Sequence, residues 1–416
     1  MTTAVGGERQ VPEPDPLARD YILLALRLDQ RVPGLVDGYF GPADLKAQVD
    51  LEPLAPPARL AQDAARLRDR LDLVDDSARQ RWLDVQLLAL ETQALVLAGT
   101  TVDYLDLVEK LFDHRPVRRA DSTFEAIGRE LDGLVPGGGS LDARLAAWDA
   151  RLTVPVDRLP AIAPWLVERF RATAAATFGL PDGEGLRLGF VRNQPWSGYN
   201  WYDGGRRSRV DLNLDLPVRA PDLIHVLAHE TYPGHHLEHV MKESWLVDEL
   251  GRLESSVLLI NTPECLISEG LADLGHRFAV PGDSEVAILG ELLERAGLAD
   301  TPDPALAVRV AALRRGLGAI AVNAALMRHA DGLDHDAVHD YLVAVGLMSP
   351  ERAAKRLSFI EHPLWRTYVF VYSEGEALLG RWLESVPEDG RSARFGRLLR
   401  EAPTPSAIRA EMGAAT

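Results

Sequence analysis

Apolar side chains recur three and four positions apart along most of the chain, and a different period takes over in one stretch only. From Asp15, DPLARDYILLALRLDQRVPG puts Leu17, Tyr21, Leu24 and Leu28 on one face of a helix that Pro33-Gly34 ends. Helices are predicted again over about Pro57 to Leu73, Ser77 to Ala98, Thr101 to Phe112 and Ser122 to Leu134, all rich in good helix formers. The second of these starts behind Asp75-Asp76-Ser77, a capping sequence. Gly137 to Gly139 make a flexible break, and another helical block covers about Leu141 to Phe178.

At Leu186 the period shortens to two. LRLGFV and SRVDLNLDLP read as strands, the second alternating Val210, Leu212 and Leu214 with Asp211, Asn213 and Asp215. RNQPWSGYNWYDGGRR between them reads as a long hairpin connection. Helices resume after Pro217 and continue to the C-terminus. The expected architecture is mainly α, with a small β-hairpin or sheet just upstream of a histidine cluster. Residues 1–14 are expected to form a disordered tail, 15–180 a helical region, and 181–416 the hairpin and the remaining helices, packed with the first region as one unit.

Composition narrows the function classes. Of 416 residues, 46% are hydrophobic and 26% charged, as in an ordinary globular protein, and the net charge of -17 disfavours nucleic acid and anionic membrane surfaces. No apolar run approaches the roughly 18 residues of a membrane-spanning helix. The polar, Pro-rich N-terminus lacks the features of a secretion signal, and the lone cysteine, Cys265, suits a reducing compartment, so a cytoplasmic location is expected. A metal site built here must use His, Asp or Glu.

Six of the eleven histidines lie between His225 and His276, five of them in APDLIHVLAHETYPGHHLEHV. Pro221 and Asp222 suit a first helical turn, which puts His225, His229 and Glu230 on helical backbone. His229-Glu230 with further histidines close behind is the chemistry of a zinc-peptidase helix, in which two imidazoles hold the metal and the Glu takes a proton from its water. The second ligand stays open. On an unbroken helix, at about 100° per residue, His236 nearly overlies His229 and His235 points elsewhere, but Pro233-Gly234 predicts a kink or bulge that can reverse the choice. Glu269, in ECLISEGLADLGH, is the candidate third ligand on a returning helix. Asp273 lies one turn on, placed to accept the outer N–H of a liganding imidazole, and His276 is a supporting or substrate-contacting candidate on the same face. His225 and His239 read as packing or surface histidines.

HETYPGHH, SEGLAD and the Tyr-x-x-Gly of Tyr372 to Gly375 resemble the bacterial domain-of-unknown-function family 885, whose fold is similar to that of the carboxypeptidase Taq-like zinc metallopeptidases. The resemblance covers roughly Asn193 to Leu383, and more loosely VDGYFGP at Val36 to Pro42. Glu238 stands where the family usually has Gln, and Leu271 where it usually has Trp. The resemblance implies one zinc ion held by His229, His235 and Glu269, with Glu230 as base and Tyr372 as oxyanion donor, His276 and Tyr368 being competitors for that last role. It implies a metallohydrolase, in its narrower form a carboxypeptidase-like metallopeptidase acting on a peptide or small amide. A hydrolase of a non-peptide amide or ester, or a catalytically silent binding protein of the same fold, are the alternatives. A terminal carboxylate calls for an arginine, with Arg366, Arg314 and Arg315 as candidates. The strand Arg209 to Leu214 is a candidate for edge pairing with an extended peptide, beside Tyr199, Asn200 and Trp201.

Overall fold

The computed structural model describes residues 15–194 and 196–414, so the expected N-terminal tail lies outside the described residues. Eight α-helices precede the first long strand, and the predicted starts hold where a cap sets them. Asp15 accepts from the backbone N–H groups of Leu17 and Ala18, and Asp76 from those of Ala78 and Arg79. The block expected as Leu141 to Phe178 is two helices, Leu141–Leu152 and Leu159–Phe178. Pro155 and Pro160 explain the break, because neither supplies a backbone donor and the second suits only a first turn. One contiguous cluster of buried apolar side chains runs from Leu17 to Ile408 and joins the early helices to the late ones. No described helix is long and apolar enough to cross a membrane.

Five strands form two small sheets. β1 (Val36–Tyr39) pairs antiparallel with β5 (Val257–Leu259). β2 (Gly185–Val191), β3 (Gly198–Gly204) and β4 (Arg207–Asn213) form the second sheet in the order β2-β4-β3, parallel between β2 and β4 and antiparallel between β3 and β4. The expected long hairpin connection is therefore itself a strand, and the tight hairpin is β3–β4, turning through Gly204 and Gly205 at positive φ. β4 lies in the centre of the sheet, so its backbone is already paired on both sides and peptide addition to its edge is excluded. Its polar alternates are covered too. Asp211 accepts from Trp201 Nε1 at 3.0 Å, and Asn213 donates to the carbonyls of Gln194 and Trp196 at 2.9 Å.

Two later helices cross at contact distance. A Cβ on Gly270, in the helix Pro263–Ala279, would lie 2.4 Å from the backbone of Gly375, in the helix Val371–Glu384; a Cβ on Gly375 would lie 2.4 Å from the carbonyl oxygen of Leu266. Only glycine allows this approach, which explains the glycine of the Tyr-x-x-Gly motif. Gly270→Ala and Gly375→Ala are each expected to lower stability by about 1–3 kcal/mol through overpacking, checked by denaturant unfolding at unchanged m-value.

Candidate metal centre

Pro221 opens the helix Ala220–Glu230, with Asp222 in its first turn, as the sequence predicts. The helix stops at Glu230, and a second begins at His235 and runs to Lys242. Gly234 fits the break because a Cβ there would lie 1.8 Å from the carbonyl oxygen of His229. The break decides which histidine meets His229: the ring of His235 lies 4.7 Å from that of His229, centroid to centroid. His236 is fully buried and turned into the protein, with Nδ1 2.8 Å from Ser208 Oγ and Nε2 3.1 Å from Glu184. Tyr232 and Arg171 donate to the same Glu184 carboxylate, so this knot fastens the inter-helix break to the residue leading into β2.

Around His229 and His235 every outer position is taken. His229 Nδ1 lies 2.9 Å from Asp273 Oδ1. His235 Nδ1 lies 3.2 Å from Ser268 Oγ, and Ser268 donates to Glu238 at 2.6 Å. Glu238 also accepts from Lys242 at 2.7 Å, a buried cation that offsets its charge. Tyr368 donates to Glu269 Oε1 at 2.6 Å. What remains faces inward. Glu269 Oε2 is 3.4 Å from His229 Nε2 and 3.8 Å from His235 Nε2, and one ligand atom from each of these residues lies within 4.8 Å of the others.

Glu269 Oε2 is buried and has no hydrogen-bond partner. Its nearest basic groups are the two Nε2 atoms at 3.4 and 3.8 Å, too far for a good hydrogen bond, and a buried carboxylate oxygen so placed favours a cation between the three. Two imidazoles presenting Nε2, each braced through Nδ1, plus one carboxylate make a donor set suited to zinc, and the residues present fit it. A second group, His225, His229 and Asp273, also lies within ligand range, but there Asp273 braces two rings, 3.3 Å from His225 Nε2.

The electrostatics follow from crowding. Burial pulls His235 down, but Glu238 and Glu269 outweigh it and hold its pKa at about 10. Burial likewise opposes protonation of His229, and Asp273 and Glu269 raise it well above the ordinary value. Burial would raise Glu269, whereas the two imidazoles bring it to about 2. Burial is the main cause that raises Glu230, against the pull of His229 and His235.

Other predicted residues take different places. Asn200 donates to the Glu230 carbonyl at 2.8 Å and so braces the end of the helix. Tyr368, expected to contact substrate, is buried behind Glu269. Tyr199 donates to Asp37 and has the tilted rings of Trp196 and Trp201 beside it, with centroids 5.4 and 4.4 Å away. Tyr372, 40% exposed, has its ring 6.4 Å from that of His229. His276 stands apart from the centre, 3.1 Å from Glu285 and with the ring of His225 beside it, so it does not compete with Tyr372. Arg366 is corrected as well: it lies beside Tyr104, whose hydroxyl donates to its carbonyl at 2.6 Å, and it is absent from the cleft next to Tyr372. Arg314 is paired with Asp149, while Arg315 does line that cleft. Cys265 is buried. Asp37, Ser268 and Glu184 were not singled out by sequence reasoning. Ser268 adjoins Glu269 and had a signal in that position; Asp37 and Glu184 had none beyond their place in loosely similar or strand-leading segments.

No family model and no curated protein matches the chain, so the resemblance to family 885 rests on the motifs themselves. The fold is similar to that of a protein described as a lipoprotein from Colwellia psychrerythraea, at TM-score 0.50 and 13% identity over 85% of this chain. The chain spans 66% of that protein's length. A fainter likeness, at TM-score 0.36 and 14% identity, covers 96% of this chain and 97% of the M32 carboxypeptidase from Deinococcus radiodurans R1.

Two outcomes test the centre directly. His235→Ala is expected to weaken zinc binding on the order of 100-fold or more, whereas His236→Ala keeps the stoichiometry and lowers the unfolding midpoint; zinc titration beside thermal unfolding reads both. Because neighbouring carboxylates raise both imidazoles above the ordinary value, zinc must compete with protons for them. Calorimetry in buffers of different ionisation enthalpy should therefore show release of roughly one to two protons, and weaker zinc binding as pH falls.

Proposed function

We propose that the chain is a zinc-dependent hydrolase of a peptide or small amide, acting in the manner of a carboxypeptidase. The observation that carries this reading is the convergence of His229, His235 and the unpartnered Glu269 oxygen beside Glu230. Zinc, when bound, lowers the pKa of a water towards about 7 and polarises a carbonyl. Glu230 takes up the proton of the attacking water; burial makes it a better base than an exposed carboxylate, and Asn200 fixes its backbone. The C–N bond breaks as the acyl carbon gains the hydroxyl and the proton held by Glu230 passes to the departing amine. Tyr372, which lines the adjacent cleft with its ring 6.4 Å from that of His229, donates to the oxygen on which charge develops.

Tyr368 keeps Glu269 Oε1 occupied, so that Oε2 alone points inward. Asp273 and the Ser268–Glu238 pair hold the imidazoles in the tautomer that presents Nε2. On the other side, Trp196, Tyr199 and Trp201 offer an aromatic platform for an apolar part of the substrate, with Asp37 at its edge.

Glu230→Gln is expected to retain zinc and to lose about 10²- to 10⁴-fold in kcat on a peptide library, measured beside the wild type. Equal rates would remove the base from this scheme. Tyr372→Phe should lower kcat by roughly 10- to 1000-fold with a smaller change in KM, since its hydrogen bond strengthens only as charge develops.

A further inference from the structure

A cleft of about 1230 Å³ adjoins the centre through Asp273 and Tyr372, and its charges are unevenly matched. Every carboxylate on its wall has a basic group close by. Asp273 lies 2.9 Å from His229 and 3.3 Å from His225, and Glu285 lies 3.1 Å from His276. Glu376 and Glu384 lie 3.6 and 3.4 Å from Arg277. Of the five arginines on the wall, Arg277 and Arg119 have carboxylates within 4.0 Å, whereas Arg315, Arg356 and Arg381 have none among the described residues. Arg315 Nη1 is in addition buried without a hydrogen-bond partner.

Arg315 Nη1 is a buried donor without an acceptor, which is costly, and the exposed Arg356 and Arg381 on the same wall add to a local positive field in a chain of net charge -17. Guanidinium groups match carboxylates in shape as well as in charge.

We propose that this cleft selects a substrate with an acidic residue on the leaving side of the scissile bond, Asp or Glu, whose two carboxylates meet Arg315, Arg356 and Arg381. This rests on the hydrolase reading only for the word leaving; the selection itself is a binding property.

The test uses the zinc-loaded Glu230→Gln protein and two peptides, N-acetyl-Ala-Ala-Glu and N-acetyl-Ala-Ala-Gln, titrated by calorimetry. The glutamate peptide is expected to bind on the order of tenfold more tightly, with the difference shrinking in added salt. Arg315→Gln and Arg356→Gln should each narrow the difference, and Arg315→Lys should restore part of it. Equal affinity for the two peptides, or a preference untouched in both glutamine variants that keep their fold and zinc, would overturn the assignment. Wild-type kinetics on the same pair separate this from the reading it extends. Cleavage of both at equal kcat/KM overturns the selectivity and leaves the hydrolase, whereas selective binding of the glutamate peptide without cleavage of any peptide supports the cleft and overturns the hydrolase.

Discussion

The glycine-to-glycine crossing of the helices Pro263–Ala279 and Val371–Glu384 fixes the geometry on which the centre depends. Glu269 adjoins Gly270, and Tyr372 lies three residues before Gly375, so the place where the two backbones touch also sets the carboxylate against the tyrosines. Tyr368, at the turn leading into the second helix, reaches Glu269 across that contact at 2.6 Å. Thicker residues at the crossing would push the helices apart and separate groups that must sit within one hydrogen bond of each other.

Around this frame, charges are arranged in shells. Glu269, Asp273 and Glu238 would be costly to bury together, yet each faces an imidazole or an ammonium, and Lys242 is itself shared between Glu238 and Glu264. The arrangement balances the acids with basic neighbours, and a cation held by His229, His235 and Glu269 would share in that balance. Glu238 is thereby accommodated, because Lys242 lies one helical turn on and supplies the balancing charge.

Much of the fold was legible in the sequence, since helix periodicity, Asp caps and first-turn prolines are local signals. The histidines, Glu230, Glu269 and Asp273 were legible too, as spacing on predicted helices brings out such groups. Three things were not. β3 was hidden because its Gly, Asn and aromatic residues read as a loop, and its pairing with β4 is a tertiary outcome. The competition between His235 and His236 turns on a helix break at Pro233-Gly234 whose direction no periodicity encodes. Arg366 is near Tyr368 and Tyr372 in the sequence, whereas the cleft is lined by Arg315, a candidate from the sequence, and by Arg356 and Arg381, whose place beside Tyr372 leaves no mark there.

The pairing of β1 with β5 carries a consequence for how the molecule comes into being. Asp37 meets Tyr199 only because a strand near the start of the chain pairs with one beyond its middle. The walls around the centre are thus drawn from segments far apart along the chain, and such contacts are entropically slow to close. During synthesis the histidine-bearing helices emerge well before the tyrosines that complete their surroundings. A chain cut short before Tyr368 would therefore carry the histidines and Glu269 without the surroundings that make them a site.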